Sequence, residues 1–312
     1  MITVSIDIGG TRLKSALIAE GKIIESAVYP IEASSPAEEC LALLEKEVNR
    51  LASIHMPSAL GIAFPGIVNP YSSTVVSVNG KYEPFVNFAF DKWAEEKFQL
   101  PMRLENDANA ALLGELHYGC GQGYDNAVLM ILGTGIGSAA MIEGKLIRGK
   151  HFQAGCLGGH ISVNTLSKGR PCTCGSAGCA ESVGGGWALD LAARQSALFS
   201  ESGLSGESSI DYQALAKWEQ AGDILAYHLM EESIDAWSTC AVNLIHAYDP
   251  DIIVLSGGVL HLGERITAPI ADNIARHAWT PWGSVELLTA KVPEHSVVLG
   301  LHSLCLQSLY LQ

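Results

Sequence analysis

Runs of apolar residues alternate along this chain with turn-forming residues, and the period of the pattern changes several times. From Ile2 the chain already reads as a strand. Leu41, Leu44, Val48 and Leu51 then recur at helical spacing, which predicts a helix over residues 36–53. Ala59 to Phe64 is a short apolar strand ending in Pro65-Gly66. Residues 69–90 are rich in turn formers and aromatics and read as an irregular loop region. Asp91 to Phe98 reads as a short helix, Met102 to Glu105 as a strand and Ala108 to Tyr118 as a helix. The glycine-rich stretch Gly119 to Gly123 marks a domain boundary. Further on, Gly184-Gly185-Gly186 precedes a helix from Trp187, and residues 200–209 form a polar loop. A long helix is expected from Ile224 to Tyr248, with Ile234, Trp237, Ala241, Leu244, Ile245 and Tyr248 on its apolar face. Asp249-Pro250 ends it. Asp251 to Leu255 is a buried strand that runs into Ser256-Gly257-Gly258 at the start of another helix. The whole predicts an α/β fold.

The pattern repeats. Displaced by 123 residues, Ile8-Gly9-Gly10-Thr11 falls on Ile131-Leu132-Gly133-Thr134, Ser15-Ala16 on Ser138-Ala139, and Glu20-Gly21-Lys22 on Glu143-Gly144-Lys145. Each segment reads as strand, Gly/Thr turn, strand, tight Glu-Gly-Lys turn, strand. Two similarly folded halves are expected, each opening with a β-hairpin. Glycine turns expose backbone N–H groups that can cradle phosphate oxygens, and a facing pair would grip a polyphosphate from two sides. One such turn alone says little, because turns need glycine for backbone reasons. Neither matches the Walker pattern, and Gly133-x-Gly135-x-Gly137 has the wrong spacing for a dinucleotide fold. Asp7, aligned with Met130, is either a ligand to Mg²⁺ through water or a turn carboxylate at the surface. The Gly257-Gly258 turn is a reasonable third nucleotide contact, since α/β folds bind ligands at strand-to-helix turns.

Composition narrows the partners. At 312 residues and 48% hydrophobic content the chain can bury a large core. A formal net charge of −14 argues against nucleic acid and against anionic membrane. The apolar run from Ala127 to Ile142 carries three glycines and is too short to span a bilayer. Because the first residues already read as a strand, no signal peptide is expected. Cys40, Cys120, Cys240 and Cys305 are scattered and read as small buried hydrophobes. The expected compartment is the reducing cytoplasm.

Two constellations carry chemistry. His160, Cys172, Cys174 and Cys179 read H-x11-C-x-C-G-x2-G-C, a donor set suited to tetrahedral, structural Zn²⁺. Unrelated thiols, or a disulfide, are the alternative. The cluster would anchor the segment from His160 to Glu181. The second is Glu105-Asn106-Asp107, where a strand meets a helix. An N-cap explains one of these residues. An ionised aspartate at a helix N-terminus, favoured there by the dipole, can also accept a proton from a substrate hydroxyl.

Asp7-Ile-Gly-Gly-Thr11, Glu105-Asn-Asp107, Leu132-Gly-Thr-Gly-Ile-Gly137 and Cys172-x-Cys-Gly-x2-Gly-Cys-x-Glu181 occur in that order. In this the chain resembles the ROK family (repressor, open reading frame, kinase), from Ile2 to the last helix. The resemblance implies two similar actin-like (ribonuclease H-like) α/β domains with a cleft between them. Residues 1–118 would form a small N-terminal domain, on which a helix over 296–312 packs back, and residues 119–295 a large domain carrying the zinc motif. It implies a cytoplasmic homodimer that transfers the γ-phosphate of Mg-ATP to a hexose hydroxyl, usually O6, with glucose as the default acceptor. By motif, Asp107 is the general base. Asn106, Asp107, His160, Glu181 and Gly66 bind the sugar, with one ring nitrogen of His160 on zinc. Asp7, Gly9, Gly10, Thr11, Gly133, Thr134 and Gly135 serve the phosphates and Mg²⁺, and Gly257 and Gly258 the adenosine.

The family usually reads A-G-E-[IL]-G-H before the zinc histidine. Here Ala154-Gly155-Cys156-Leu157-Gly158-Gly159-His160 lacks the glutamate and gains a glycine. One sugar-binding carboxylate is therefore missing, a contact worth about 1.5–3 kcal/mol. N-acetylmannosamine, N-acetylglucosamine or fructose, or a modified hexose or disaccharide, are alternative acceptors, and a non-catalytic sugar sensor is the alternative class. A repressor of the family would carry an added N-terminal DNA-binding domain.

Overall fold

A computed structural model describes residues 1–32, 36–291 and 293–310. The chain divides into two compact units. The first comprises residues 1–124, 146–156 and 290–312, and the second residues 125–145 and 157–289. A single cut after residue 118 does not describe this. Residues 119–124 stay with the first unit because Glu115 holds them: its main-chain carbonyl accepts from the N–H groups of Gly119 and Gly121, and its carboxylate from that of Cys120. Residues 146–156 return to the first unit because Arg148 pairs there with Glu105.

In the first unit β1 (Ile2–Ile8), β2 (Arg12–Ala19) and β3 (Lys22–Pro30) form an antiparallel meander. Helix α1 (Ala37–Ala52) follows, then β4 (Ala59–Phe64), the short pair β5 (Ile67–Asn69) and β6 (Thr74–Ser77), α2 (Phe90–Phe98), β7 (Met102–Asn106) and α3 (Asp107–Tyr118). The sheet order is β3-β2-β1-β4-β7, with β4 and β7 parallel to β1. Val4, Ile6, Ile8, Leu60, Ile62 and Phe64 alternate onto one face, where Leu44, Val48 and Leu51 of α1 cover them. The region expected to be irregular, 69–90, contains β6, and β5 ends in it. They are too short, at three and four residues, to show a period among the surrounding turn formers.

The second unit repeats the plan. β8 (Ala127–Leu132), β9 (Ile136–Ile142) and β10 (Lys145–Leu146) form the meander, although Leu146 itself belongs to the first unit. Helices α4 (Ala180–Gly184), α5 (Gly186–Gln195), α6 (Tyr212–Gln220) and α7 (Ile224–Tyr248) precede β11 (Ile252–Ser256), α8 (Glu264–His277) and β12 (Glu286–Thr289). The order β10-β9-β8-β11-β12 matches the first sheet strand for strand. The two Glu-Gly turns match in conformation as well. Glu20 and Gly21 have φ of 52° and 73°, Glu143 and Gly144 of 50° and 70°. Paired positive φ values mark the hairpin turn whose twist suits flanking strands.

The last helix, α9 (Ser296–Tyr310), packs on the other face of the first sheet, where Ala16 and Ile18 meet Val298 and Ala63 meets Leu301. Residues 311 and 312 of the expected helix lie outside the described residues. Buried His302 pins α9 to the meander: its Nδ1 lies 2.7 Å from Thr3 Oγ1, and its Nε2 accepts from Gly21 N–H. No helix among the described residues is long and apolar enough to cross a membrane.

Candidate active site and metal centre

In the first unit the parallel strands deliver the candidate residues to neighbouring carboxyl ends. β1 ends at Asp7 and the Gly9-Gly10-Thr11 turn, β4 at Gly66, and β7 at Asn106 and Asp107. Open α/β sheets bind ligands at such ends. Asn106 is the N-cap of α3, its Oδ1 accepting from Asn109 N–H at 3.1 Å. The cap is half of its work. Asn106 Nδ2 donates to Gly66 O at 2.9 Å and to Asp107 Oδ1 at 3.0 Å. Gly66 has φ of +105°, and a Cβ there would lie 2.5 Å from Ser77 O, so only glycine brings this carbonyl to Asn106.

Asp107 Oδ1 also accepts from Ala108 N–H at 2.9 Å. The N–H of Asp107 itself also donates to the carboxyl group. Burial raises the Asp107 pKa, and the donors from Ala108 and Asn106 hold it back. Asp7 is pushed up to about 6, chiefly by burial and further by the charge of Asp107, against the pull of Lys14. Lys14 stands directly across the hairpin from Asp7, its Nζ 3.7 Å from Asp7 Oδ2. Sequence reasoning missed Lys14, although counting back through a symmetric hairpin pairs it with Asp7. Of the Gly9-Gly10-Thr11 turn, Gly9 spends its N–H on Arg12 O at 2.9 Å, and Tyr82 Oη donates to Gly9 O at 2.7 Å.

Glu105 is buried and does not face a ligand. Its Oε1 accepts from Asn106 N–H and Asn109 Nδ2, both at 3.0 Å, and its Oε2 pairs with Arg148. The Cys156 thiol lies in the fields of Asp107 and Glu105; burial, then the charge of Asp107, push it up to about 11. At neutral pH it is an uncharged group where the family pattern places a carboxylate.

The second unit holds the other candidates. Gly133, Thr134 and Gly135 link β8 to β9. Gly257 and Gly258 follow β11, which is parallel to β8 and pairs Ser256 with Ile131. Glu181, in the first turn of α4, braces the glycine turn: its Oε2 accepts from Ile136 N–H at 2.9 Å and its Oε1 from Trp187 Nε1 at 3.2 Å. The turn is tied from its other side by Gly186 N–H to Gly133 O and Trp187 N–H to Thr134 O, both at 3.0 Å. The candidate sugar ligands are thus divided: Gly66, Asn106 and Asp107 belong to the first unit, His160 and Glu181 to the second.

Immediately before Glu181 lies the candidate metal centre. His160 closes the 3₁₀ turn Gly158–His160, and Cys179 caps α4. One ligand atom from each of His160, Cys172, Cys174 and Cys179 lies within 4.8 Å of all the others. His160 Nδ1 is 3.5 Å from Cys172 Sγ, and the Cys174 and Cys179 sulfurs are 3.7 Å apart. Ligands about 2.3 Å from one tetrahedral ion would be separated by nearly this much. All eight cysteines are free thiols, so the disulfide alternative is not adopted. Burial and the neighbouring thiols push Cys179 up to about 12, a cost that a divalent cation reverses by taking the thiolates as ligands. The residues present fit zinc. With Nδ1 turned to the sulfurs, His160 keeps Nε2 for another partner.

Comparison with known proteins agrees with this arrangement. The ROK family model matches residues 3–308. A glucokinase of Thermotoga maritima is 25% identical over 308 residues, covering 96% of each chain. A β-glucoside kinase of Listeria monocytogenes is 30% identical over 254 residues, covering 81% of each. A ROK glucokinase of Streptomyces griseus, solved with glucose and AMPPNP, superposes with a TM-score of 0.79 at 28% identity over 98% of this chain and 100% of that one. With the motifs in order, the duplicated sheets and a family match over nearly its whole length, the chain belongs to the ROK family.

Proposed function

We propose that the protein is an ATP-dependent sugar kinase that passes the γ-phosphate of Mg-ATP to a hexose hydroxyl, O6, with glucose as the default acceptor. The glucokinases and β-glucoside kinases to which it is similar support the activity. The observation that carries the assignment of the base is the state of Asp107: it opens α3 at the carboxyl end of β7, and Ala108 N–H and Asn106 Nδ2 both hold its Oδ1.

Chemically, the acceptor hydroxyl donates to Asp107 Oδ2. As its oxygen bonds to the γ-phosphorus, the bond from that phosphorus to the β,γ-bridging oxygen breaks, ADP leaves, and the proton passes to the carboxylate. The transition state is loose, so the base need not be strong, and its raised pKa suits late proton capture. Asn106 holds the base in place through its Nδ2. Asp7, largely ionised at neutral pH, acts on Mg²⁺ through water, while the amides of Gly10 and Thr11 and of the Gly133–Gly135 turn receive phosphate oxygens. Gly257 and Gly258 line the adenosine. His160 Nε2 binds a sugar hydroxyl, and Glu181 adds a second contact while bracing its turn. His160, Cys172, Cys174 and Cys179 would hold a structural zinc, which would fix the tautomer and orientation of His160. A cytoplasmic location suits the free thiols.

The test is ADP release from Mg-ATP across glucose, mannose, fructose, N-acetylglucosamine, N-acetylmannosamine and a β-glucoside. Strong turnover on one acceptor is expected. Folded, zinc-loaded protein that binds ATP yet releases no ADP with any of them would replace the kinase with a sugar sensor.

A further inference from the structure

Residues 146–156 carry a charged group that the chemistry above leaves unused. They follow Lys145 of the second unit, belong to the first, and are followed by Leu157 of the second. Ala154 N–H donates to Arg148 O at 3.1 Å and closes the segment on itself. The Arg148 guanidinium pairs with Oε2 of Glu105, a side chain only 2% exposed. From there the hydrogen bonds run without a break. Glu105 Oε1 accepts from Asn109 Nδ2 at 3.0 Å, Asn109 N–H donates to Asn106 Oδ1 at 3.1 Å, and Asn106 Nδ2 donates to Asp107 Oδ1 at 3.0 Å.

We infer that Arg148 is a positioning residue for the base: through Glu105 it fixes the Asn106 carboxamide, and so fixes which oxygen of Asp107 is left for the acceptor hydroxyl. The inference rests on the sugar-kinase reading. A capping asparagine needs only its Oδ1 on the N–H of residue 109, and nothing in capping specifies the rest of the line. A reversed carboxamide would turn an oxygen toward the Asp107 carboxylate and toward Gly66 O, two acceptors facing an acceptor. The N–H of Asn109 opposes this through Asn106 Oδ1, and Glu105 holds the two residues in register by accepting from Asn106 N–H and Asn109 Nδ2. Stability alone is a weak reason for the arrangement, because a buried ion pair returns little beyond its desolvation cost. Arg148 Nε and Asn109 Oδ1 also lie buried without a partner among the described residues, which adds to that cost.

The experiment compares wild type, Arg148→Met, Arg148→Lys, Glu105→Gln and the Arg148→Met/Glu105→Gln double variant, each checked by thermal melting, with kcat and KM measured on the best acceptor. Arg148→Met is expected to lower kcat about 10- to 100-fold, the cost of a small misplacement of a catalytic group, with KM for Mg-ATP unchanged. Lysine should restore part of the loss. Glu105→Gln, which keeps an acceptor for Asn109, should reproduce the loss, and the double variant should add little to it. A folded Arg148→Met or Glu105→Gln protein with wild-type kcat overturns the inference, as does a loss confined to KM. Losses that multiply in the double variant also overturn it. A wild-type protein that turns over while these variants match it leaves the kinase reading standing, whereas a wild type that phosphorylates no sugar overturns both.

Discussion

The two glycine turns sit on the same strand plan yet live in different chemistry. Beside the first stand Asp7, Lys14 and Asp107, and Asp7 lies in the fields of the other two. Beside the second, Ser138 pairs with Met130 as Ser15 pairs with Ile6, so the folded register sets Ile131, and not the Met130 of the sequence alignment, in the place of Asp7, and the bracing comes from Glu181, two residues beyond Cys179 of the Cys/His cluster. The aligned serines differ too. Ser15 donates to Glu47 of α1, while Ser138 accepts from Gly158 N–H, two residues before His160 of the Cys/His cluster. Duplication thus supplied a backbone twice, and the groups set against it divided the labour. The first half sets charged groups beside its turn, the second a Cys/His cluster with the donors to hold a metal.

The strongest way to break that comparison is to take the metal away. Chelation, or Cys174→Ser, should destabilise the second unit by up to the order of 10 kcal/mol, the scale of structural zinc binding. Metal analysis and calorimetry would check it, and a metal-free wild type with an unchanged melting profile would remove the contrast. Next comes Asp107→Asn, expected to lower kcat by ~10²–10⁴ without lowering the melting temperature. Near-normal turnover in a single-turnover assay would take Asp107 out of the chemistry.

Asp7→Asn sharpens the difference. The folded pKa of Asp7, about 6, lies above its ordinary 3.8. The native state therefore holds the extra proton, and the stability this gives is full below about pH 4 and lost as pH rises to about 6. The variant should be more stable at pH 7 by up to about 3 kcal/mol, should lose that pH slope, and should bind Mg-ATP more weakly. Urea titrations at pH 4 and pH 7 would decide, and an identical pH slope in both proteins would refute it. The smallest effect expected is that of Cys156→Glu, a shift of acceptor preference toward glucose by about 1.5–3 kcal/mol in kcat/KM. An unchanged acceptor profile would show that the thiol does not occupy the place of the family's carboxylate.

Much of this was legible in the sequence where the signal is local. Glu20-Gly21 and Glu143-Gly144 announce their hairpins because only a few residues accept paired positive φ. The helix from Ile224 to Tyr248 and the strand ending at Phe64 follow from periodicity and its interruption. The metal set is legible because three of its ligands lie within eight residues. The partner of Glu105 was hidden for the opposite reason: Arg148 lies 43 residues away, and no pattern in either stretch names the other. Glu181 shows a subtler gap. Motif matching gave it a ligand to bind, but not the backbone N–H of Ile136, 45 residues before it, which only folding brings within reach.

The place of α9 has a consequence for how the molecule is made. Thr3 and His302 are separated by 299 positions, yet they share a hydrogen bond at the centre of the first sheet. At ~5–20 residues per second a ribosome needs roughly 15 to 60 s to travel between them. Throughout that interval the face bearing Ala16, Ile18 and Ala63 lacks the cover of α9, although Ala110 of α3 already packs beside Ala63. The unit whose synthesis starts first is therefore the one that must finish last, and the nascent chain carries a partly uncovered apolar sheet face while the second unit is still being made.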